Sequence, residues 1–420
     1  MLSHYHQRQT CRLCDSQDVT LVVPMTPTPI ADAYVTADQL GQVQEPYPLD
    51  LYQCRSCGHV QLLDVVDPAV IFRKYSYFSG RSPGIVRHFR EYANRVIDAI
   101  GLPAGSLVVD IGSNDGCFLG MFRERGMRVL GIDPAENIAA VANASGIETW
   151  PTFFDRVTAD RIRAERGPVP LVTANNVFAH TDDMAGMADA IASLLADDGV
   201  FAFEVSYLLD VIDHLLLGTI FHEHLCYHSV QPLDAFLHRH GMELIDVQRV
   251  TIQGGSLICM AQRVGGPRPV NPSVGKLKAL EDARKLHDPA TVRTLSTRID
   301  EVGEQTRQMV NDLHAAGRHM AGFGAARGGT LLMYHFGLGD VLEFLVDDSP
   351  DKQGLYSPGH HIPVLPTAAL YEQRPDDTFI LAWVHTKSIV QQHRRYLEEG
   401  GRFLTCFPRL NIVTKNTPPL

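Results

Sequence analysis

The sequence predicts an α/β chain in three parts. These are a small cysteine-paired N-terminal module, a central doubly wound Rossmann-like domain, and a second Rossmann-like domain at the C-terminus. Three observations carry this reading. Two Cys-x-x-Cys pairs, Cys11/Cys14 and Cys54/Cys57, bracket the first sixty residues. Residues 105–265 alternate between short β-branched runs and helical patterns, which is the signature of a parallel sheet covered by helices. A second glycine-rich strand-to-helix turn, Met320 to Gly329, opens another such alternation. The expected boundaries are 1–75, 76–265, a helical connector over 266–316, and 317–420.

The first module follows from its cysteines. A tight Cys-x-x-Cys turn presents two thiolates, and two such turns complete a closed tetrahedral zinc site from Cys11, Cys14, Cys54 and Cys57. Four thiolates leave no open coordination position, so the expected zinc is structural. Prolines at 24, 27, 29, 46 and 48 punctuate the segment between the pairs. The other four cysteines read as small buried apolar residues.

In the bridge to the central domain, Tyr75-Ser76-Tyr77-Phe78-Ser79-Gly80-Arg81-Ser82 is polar and aromatic. Ser82-Pro83 then reads as an N-cap and first helical residue. The tyrosines and serines suit a lid over a hydroxylated ligand.

The central domain is organised around Val108-Val109-Asp110-Ile111-Gly112-Ser113-Asn114-Asp115-Gly116. A buried strand opens through glycines into a helix at Phe118–Arg125, which lets backbone N–H groups approach a ligand closely. The next strand, Val129–Ile132, ends in Asp133, placed to accept from a ribose diol. A dinucleotide site would leave the helix end bare for pyrophosphate. Here Asp110 and Asp115 would repel a pyrophosphate but suit the ammonium and ribose of S-adenosylmethionine, itself a sulfonium cation. The expected cofactor contacts are Asp110, Gly112, Asn114, Asp115, Asp133 and Asn176.

Further strands are expected at Leu171–Ala174, Val200–Glu204 and Leu257–Ala261, with a helix over Met184–Leu195. Asn175 and Asn176 follow one strand and Glu204 ends the next, at the carboxyl edge where such sheets bind ligands. Phe221-His222-Glu223-His224-Leu225-Cys226-Tyr227-His228 holds three histidines and a glutamate in eight residues. The zincin pattern His-Glu-x-x-His fails, because Cys226 stands after Leu225 where the spacing places the next residue of that motif. A metal pair at His224 and His228 on one helix face, a His-rich surface turn, and a Glu223–His224 general base are the open readings.

A Gly/Pro linker at 265–269 leads into charged helical sequence interrupted at Asp288-Pro289. In the last part, Gly322-Phe323-Gly324-Ala325-Ala326-Arg327 is a strand-to-helix turn, and Phe344–Asp347 is the next strand. Phe379–Trp383 and Arg402–Cys406 read as later strands. Arg327 stands where a dinucleotide fingerprint has its third glycine, so this helix N-terminus is expected to hold substrate phosphate rather than NAD.

The formal charge of −11 argues against general nucleic-acid binding. No run is long and apolar enough for a membrane span, and the N-terminus lacks a signal-like apolar stretch. A cytoplasmic monomer is expected.

Taken in order, these motifs resemble the nucleotide-sugar C-methyltransferases of deoxysugar pathways. The resemblance runs over nearly the whole chain: the paired knuckles, Tyr75-x-Tyr77-x-Ser79, Ile111 to Gly116, Ala174 to His180, Glu223-His224, Gln253-Gly254-Gly255-Ser256, Gly322 to Ala325, and Asp347 to Gly354. It is strongest for the type acting at C3 of dTDP-linked 4-keto-6-deoxysugars. It implies that a ketone at C4 acidifies the neighbouring C–H, at C3 or C5, that His224 is the base assisted by Glu223, that a tyrosine of the lid segment (Tyr75 or Tyr77, with Tyr75 the first of the motif) meets the enolate oxygen, and that the carbanion takes the S-adenosylmethionine methyl in line. Tyr77, Ser79, His180, Phe221, Gly324 and Arg327 fall to the substrate. The family usually carries tyrosine two residues before the glutamate; Phe221 departs from that, and substrate orientation is expected to differ. The rival reading is an NAD-dependent nucleotide-sugar oxidoreductase or epimerase using the C-terminal turn.

Overall fold

The structure, a computed structural model, describes residues 4–72, 77–407 and 409–417. Tyr75 lies outside the described residues. Strands Val19–Val23, Leu51–Cys54 and Val60–Leu62 form an antiparallel sheet in the N-terminal module. A fourth strand joins it from far along the chain: Cys226–Tyr227 pairs antiparallel with Val60–Gln61. The segment holding the histidine cluster is therefore stitched to the cysteine module, and His228 also bridges Tyr207 just past the central-sheet strand that ends at Ser206.

Helix α1, Pro83–Ile100, starts as its sequence demands. The Ser82 hydroxyl accepts from the Ile85 N–H, Pro83 fills the first turn, and Gly101 closes the helix at φ +61°. Its apolar face, Ile85, Phe89, Tyr92, Val96 and Ile97, recurs at helical spacing and is buried. Each such fully buried side chain contributes roughly 1.5–3 kcal/mol.

The central sheet comprises β1 Leu107–Ile111, β2 Arg128–Ile132, β3 Thr149–Trp150, β4 Val169–Asn175, β5 Leu195–Ser206, β6 Met242–Val250 and β7 Ser256–Arg263. Its order is β3-β2-β1-β4-β5-β7-β6. The first five are parallel, and β7 runs antiparallel between β5 and β6. The hairpin edge departs from the all-parallel dinucleotide order. Helix α2, Cys117–Glu124, follows the glycine turn after β1.

Helices α3, Pro272–Ala283, and α4, Pro289–Ala315, meet at the expected Asp288-Pro289 break, where the Asp288 carboxylate accepts from the Ala290 N–H. The C-terminal sheet holds β8 Met320–Phe323, β9 Phe344–Asp347, β10 Val364–Pro366, β11 Asp377–Ile380, β12 Arg402–Thr405 and β13 Asn411–Val413. Its order is β10-β9-β8-β11-β12-β13, antiparallel only at the last pair. Helix α5, Arg327–His335, follows β8. The proline-rich loop of the first module clasps this domain: Val35 and Tyr356 exchange backbone hydrogen bonds, and the Thr330 hydroxyl donates to the Ala31 carbonyl. Among the described residues, no helix is long and apolar enough to cross a membrane.

Candidate active site

The four module cysteines converge. All four Sγ atoms lie within 4.8 Å of one another, with Cys11–Cys57 at 3.6 Å and Cys14–Cys54 at 3.5 Å. Tetrahedral zinc with Zn–S bonds of about 2.3 Å holds thiolates roughly 3.8 Å apart, so the donor set fits a closed structural site. Each knuckle closes the same way: Asp15 at φ +57° donates to the Cys11 carbonyl, and Gly58 at φ +82° donates to that of Cys54.

At the carboxyl edge of the central sheet, Gly112 takes φ +68°, and a Cβ there would stand 2.3 Å from Val177 Cγ2. Any other residue here strains the positive φ and presses on the Val177 side chain. The Asp133 carboxylate, at the tip of β2, accepts from the backbone N–H of Asn114 and Ala135, each at 2.9 Å. Those bonds lock the turn and leave lone pairs toward the edge, as a ribose diol requires. Asp110 lies beneath the turn. Its carboxyl accepts the Thr173 hydroxyl proton at 2.6 Å, and burial, with Asp133 nearby, pushes it up to about 7. Asn176 sits at φ +55° with its N–H on the Glu204 carbonyl. Its neighbour Asn175, placed at this edge by the sequence but not assigned to the cofactor, carries a side-chain amide whose Nδ2 and Oδ1 are buried with no hydrogen-bond partner among the described residues. A bound polar ligand at this edge would satisfy it.

Asn114 and Asp115 do something the sequence did not show: they hold the segment over residues 77–80. Asn114 accepts from the Ser79 N–H and donates to the Tyr77 carbonyl, both at 2.9 Å. Asp115 accepts from the Gly80 N–H at 2.9 Å. Arg81 pairs with Asp351, tying the same segment to the C-terminal domain. The sequence also missed His88 on α1, whose Nε2 meets the buried Glu204 carboxylate at 2.5 Å.

The three clustered histidines part company. His222 Nε2 donates to the Tyr47 carbonyl, His228 Nε2 to that of Phe178, and His224 Nδ1 to that of Thr219 at 2.8 Å. They are on no common helix. Among the described residues the cysteines alone form a metal-sized cluster, so the His224/His228 metal pair and the surface-turn reading both fall. With its Nδ1 proton on Thr219, neutral His224 keeps its lone pair on Nε2. Burial drives its pKa down to about 4, with Arg327 adding to the effect and the Thr219 bond opposing it.

Around His224 stand most of the residues the sequence assigned to substrate. The Phe221 ring is 4.0 Å away and the His180 ring stacks on it at 5.0 Å, with Phe72 beyond. Among the described residues, His180 Nε2 is buried without a hydrogen-bond partner. Arg327 reaches in from α5 with Nη1 2.9 Å from the Glu223 carboxylate and Nη2 3.6 Å from Asp32, its guanidinium 5.7 Å from the Tyr77 ring and 5.9 Å from that of Phe221. Two expectations change here. The group that orients the His224 ring is the Thr219 carbonyl, while Glu223 engages Arg327 across the domain boundary. The N-terminus of α5 abuts protein backbone, since a Cβ on Gly328 would lie 2.9 Å from Gly218 Cα. Gly324, at φ +105°, is packed against Ala382, and Asp347 accepts from the N–H groups of Ala325 and Ser349.

Comparison with known proteins agrees with this three-part layout. Family models match as a zinc binding domain over residues 11–72, a methyltransferase domain over 85–247 and a C-methyltransferase C-terminal domain over 251–408. The chain is 34% identical to C-methyltransferase NovU of Streptomyces niveus over 405 residues, covering 96% of each. A ubiquinone biosynthesis O-methyltransferase of Burkholderia thailandensis is 26% identical over 37% of this chain and 72% of its own length. Among solved structures, the complex of a Haloferax volcanii Trm112 methyltransferase activator with its methyltransferase covers 44% of this chain and 94% of that chain at 17% identity and a TM-score of 0.37, too distant to bear on function.

Proposed function

The chain belongs to the C-methyltransferase family, and from that premise we propose that it methylates C3 of a dTDP-linked 4-keto-6-deoxysugar with S-adenosylmethionine as donor. That the protein is an S-adenosylmethionine-dependent methyltransferase with a structural zinc rests on the family match and the four-cysteine cluster. The sugar, its nucleotide and the carbon are our reading. One observation carries it: a part-buried, desolvated neutral imidazole whose Nδ1 is committed to a carbonyl and whose Nε2 lone pair is left for a proton.

An unactivated sugar carbon is far too weak an acid for imidazole, whereas a carbon beside a ketone is within reach once the enolate is stabilised. The pKa of about 4 describes an imidazolium disfavoured by burial and by Arg327. An enolate forming beside the ring reverses that balance, because the new anion favours the protonated ring. Arg327 supplies positive charge at the same place, and Tyr77, Phe221 and His180 wall the site against water that would quench the carbanion. Gly112, Asp133 and Asn175 fit the donor cofactor, which when bound supplies an electrophilic methyl group. Tyr75 is our candidate for the enolate oxygen, from the resemblance. Phe221 puts an apolar face where the family usually has a hydroxyl, leaving Tyr77 and Arg327 to orient the sugar.

The nicotinamide alternative is disfavoured by the Gly218 backbone lying against the helix N-terminus where a pyrophosphate would sit. A panel of 4-keto nucleotide sugars, incubated with enzyme and isotopically labelled methyl donor, tests the proposal. A C-methylated product from the dTDP-linked member, with the label on C3, supports it; label on oxygen or nitrogen refutes it.

A further inference from the structure

The turn Leu217–Thr219 belongs to the central domain but is seated by the C-terminal one. On one side, Gly218 meets Gly328 of α5 backbone to backbone: a Cβ on Gly328 would be 2.9 Å from Gly218 Cα and 3.4 Å from its carbonyl oxygen. On the other, a Cβ on Gly218 would be 3.0 Å from the Trp383 indole Nε1. A side chain on Gly328 would therefore meet main chain, and one on Gly218 would meet the Trp383 indole.

The next residue faces the base. The Thr219 carbonyl accepts from His224 Nδ1 at 2.8 Å and from the buried Tyr227 hydroxyl at 3.2 Å, so both its lone pairs are used. Its direction is set by the turn itself: the Thr219 N–H and hydroxyl both return to the Leu216 carbonyl, at 3.0 and 2.7 Å. A carbonyl can only accept, so a Thr219 oxygen in this place selects the tautomer with hydrogen on Nδ1.

We propose that Gly328 and Trp383 of the C-terminal domain are positioning residues for catalysis: they seat the Leu217–Thr219 turn so that Thr219 holds His224 in the Nδ1–H tautomer. The inference rests on the reading of His224 as the base. It makes the base competent only when the C-terminal domain is docked, which couples the two ends of the chain without either touching the reacting carbon.

The test uses the full-length, zinc-loaded protein. Gly328→Ala inserts a methyl group against backbone, which no side-chain rotation can relieve. The expected result is unchanged S-adenosylmethionine binding, a kcat lower by on the order of 10²-fold, and a 15N-imidazole spectrum in which the His224 signal, identified by its loss in His224→Asn, passes from one tautomer to a mixture. If Gly328→Ala does not fold, Tyr227→Phe takes its place: freeing the carbonyl from its second donor strengthens its bond to His224 and moves the acid limb of the pH–rate profile upward. A folded Gly328→Ala variant with wild-type kcat and an unaltered His224 signal overturns the proposal, as does a Tyr227→Phe profile that does not move. Turnover surviving in His224→Asn overturns instead the reading of the base.

Discussion

Replacing Gly112 by alanine tests whether the cofactor turn is built as described. Two costs are readable in the structure. The backbone sits at φ +68°, where a residue with a Cβ loses about 1–2 kcal/mol. The new Cβ would also stand 2.3 Å from Val177 Cγ2 and 3.2 Å from Val177 Cβ and Cγ1. Valine is stiff at χ1 and cannot swing both methyls clear, so overpacking adds roughly 1–3 kcal/mol. Gly112→Ala should therefore lose about 2–5 kcal/mol of central-domain stability, together with affinity for S-adenosylmethionine. Val177→Ala removes the obstructing methyls, so the double variant should recover the overpacking part and retain only the backbone part. Urea unfolding of the three variants, with calorimetric titration of the cofactor, measures the cycle. Additivity of the two substitutions to within about 0.5 kcal/mol would show that the sites do not couple and would refute the argument.

Burial holds His224 near 4, so the acid limb of kcat/KM, which reports the free enzyme, should fall near pH 4–5, not at 6.5, in a pH–rate profile. His222 and His228 are likewise lowered to about 4. As pH falls below 6.5 the unfolded chain takes up their protons first, so their stabilising contribution is complete above 6.5 and lost between 6.5 and 4. At pH 5 that is roughly 2 kcal/mol for each histidine, seen as a lower urea midpoint than at pH 7.5. Metal analysis should find one zinc per chain, and Cys54→Ser should lose it along with methyl transfer, because the sheet that pairs with Cys226–Tyr227 is then released. Arg327→Met removes the 2.9 Å ion pair with the Glu223 carboxylate and should lower the urea unfolding midpoint.

How much could be read in advance depended on whether the signal was local. Strand β1 ends where its β-branched run ends, α1 begins at Ser82-Pro83, and α4 begins at Asp288-Pro289, because caps and proline act on their own neighbours. Strand β3 is two residues long and β6 carries a register shift between Leu244 and Asp246, so neither leaves a clean alternation. The Cys226–Gln61 pairing joins distant parts of the chain and has no local signature at all. The same division holds in the site. Side-chain chemistry singled out His224, Glu223, Arg327 and the glycine turn. The acceptor that orients His224 is a main-chain carbonyl, which no residue type advertises. Asn114 and Asp115 read as cofactor groups, yet their hold on residues 77–80 depends on a loop 35 residues away folding back.

The central claim is that an imidazole removes a proton from carbon before the methyl arrives. The direct measurement is solvent exchange: enzyme loaded with S-adenosylhomocysteine is incubated in D2O with a dTDP-linked 4-keto-6-deoxysugar, and the sugar is then read by NMR. Deuterium should appear at C3 with the wild-type protein and not with His224→Asn. No exchange with the wild-type protein, or equal exchange in the variant, would contradict the account.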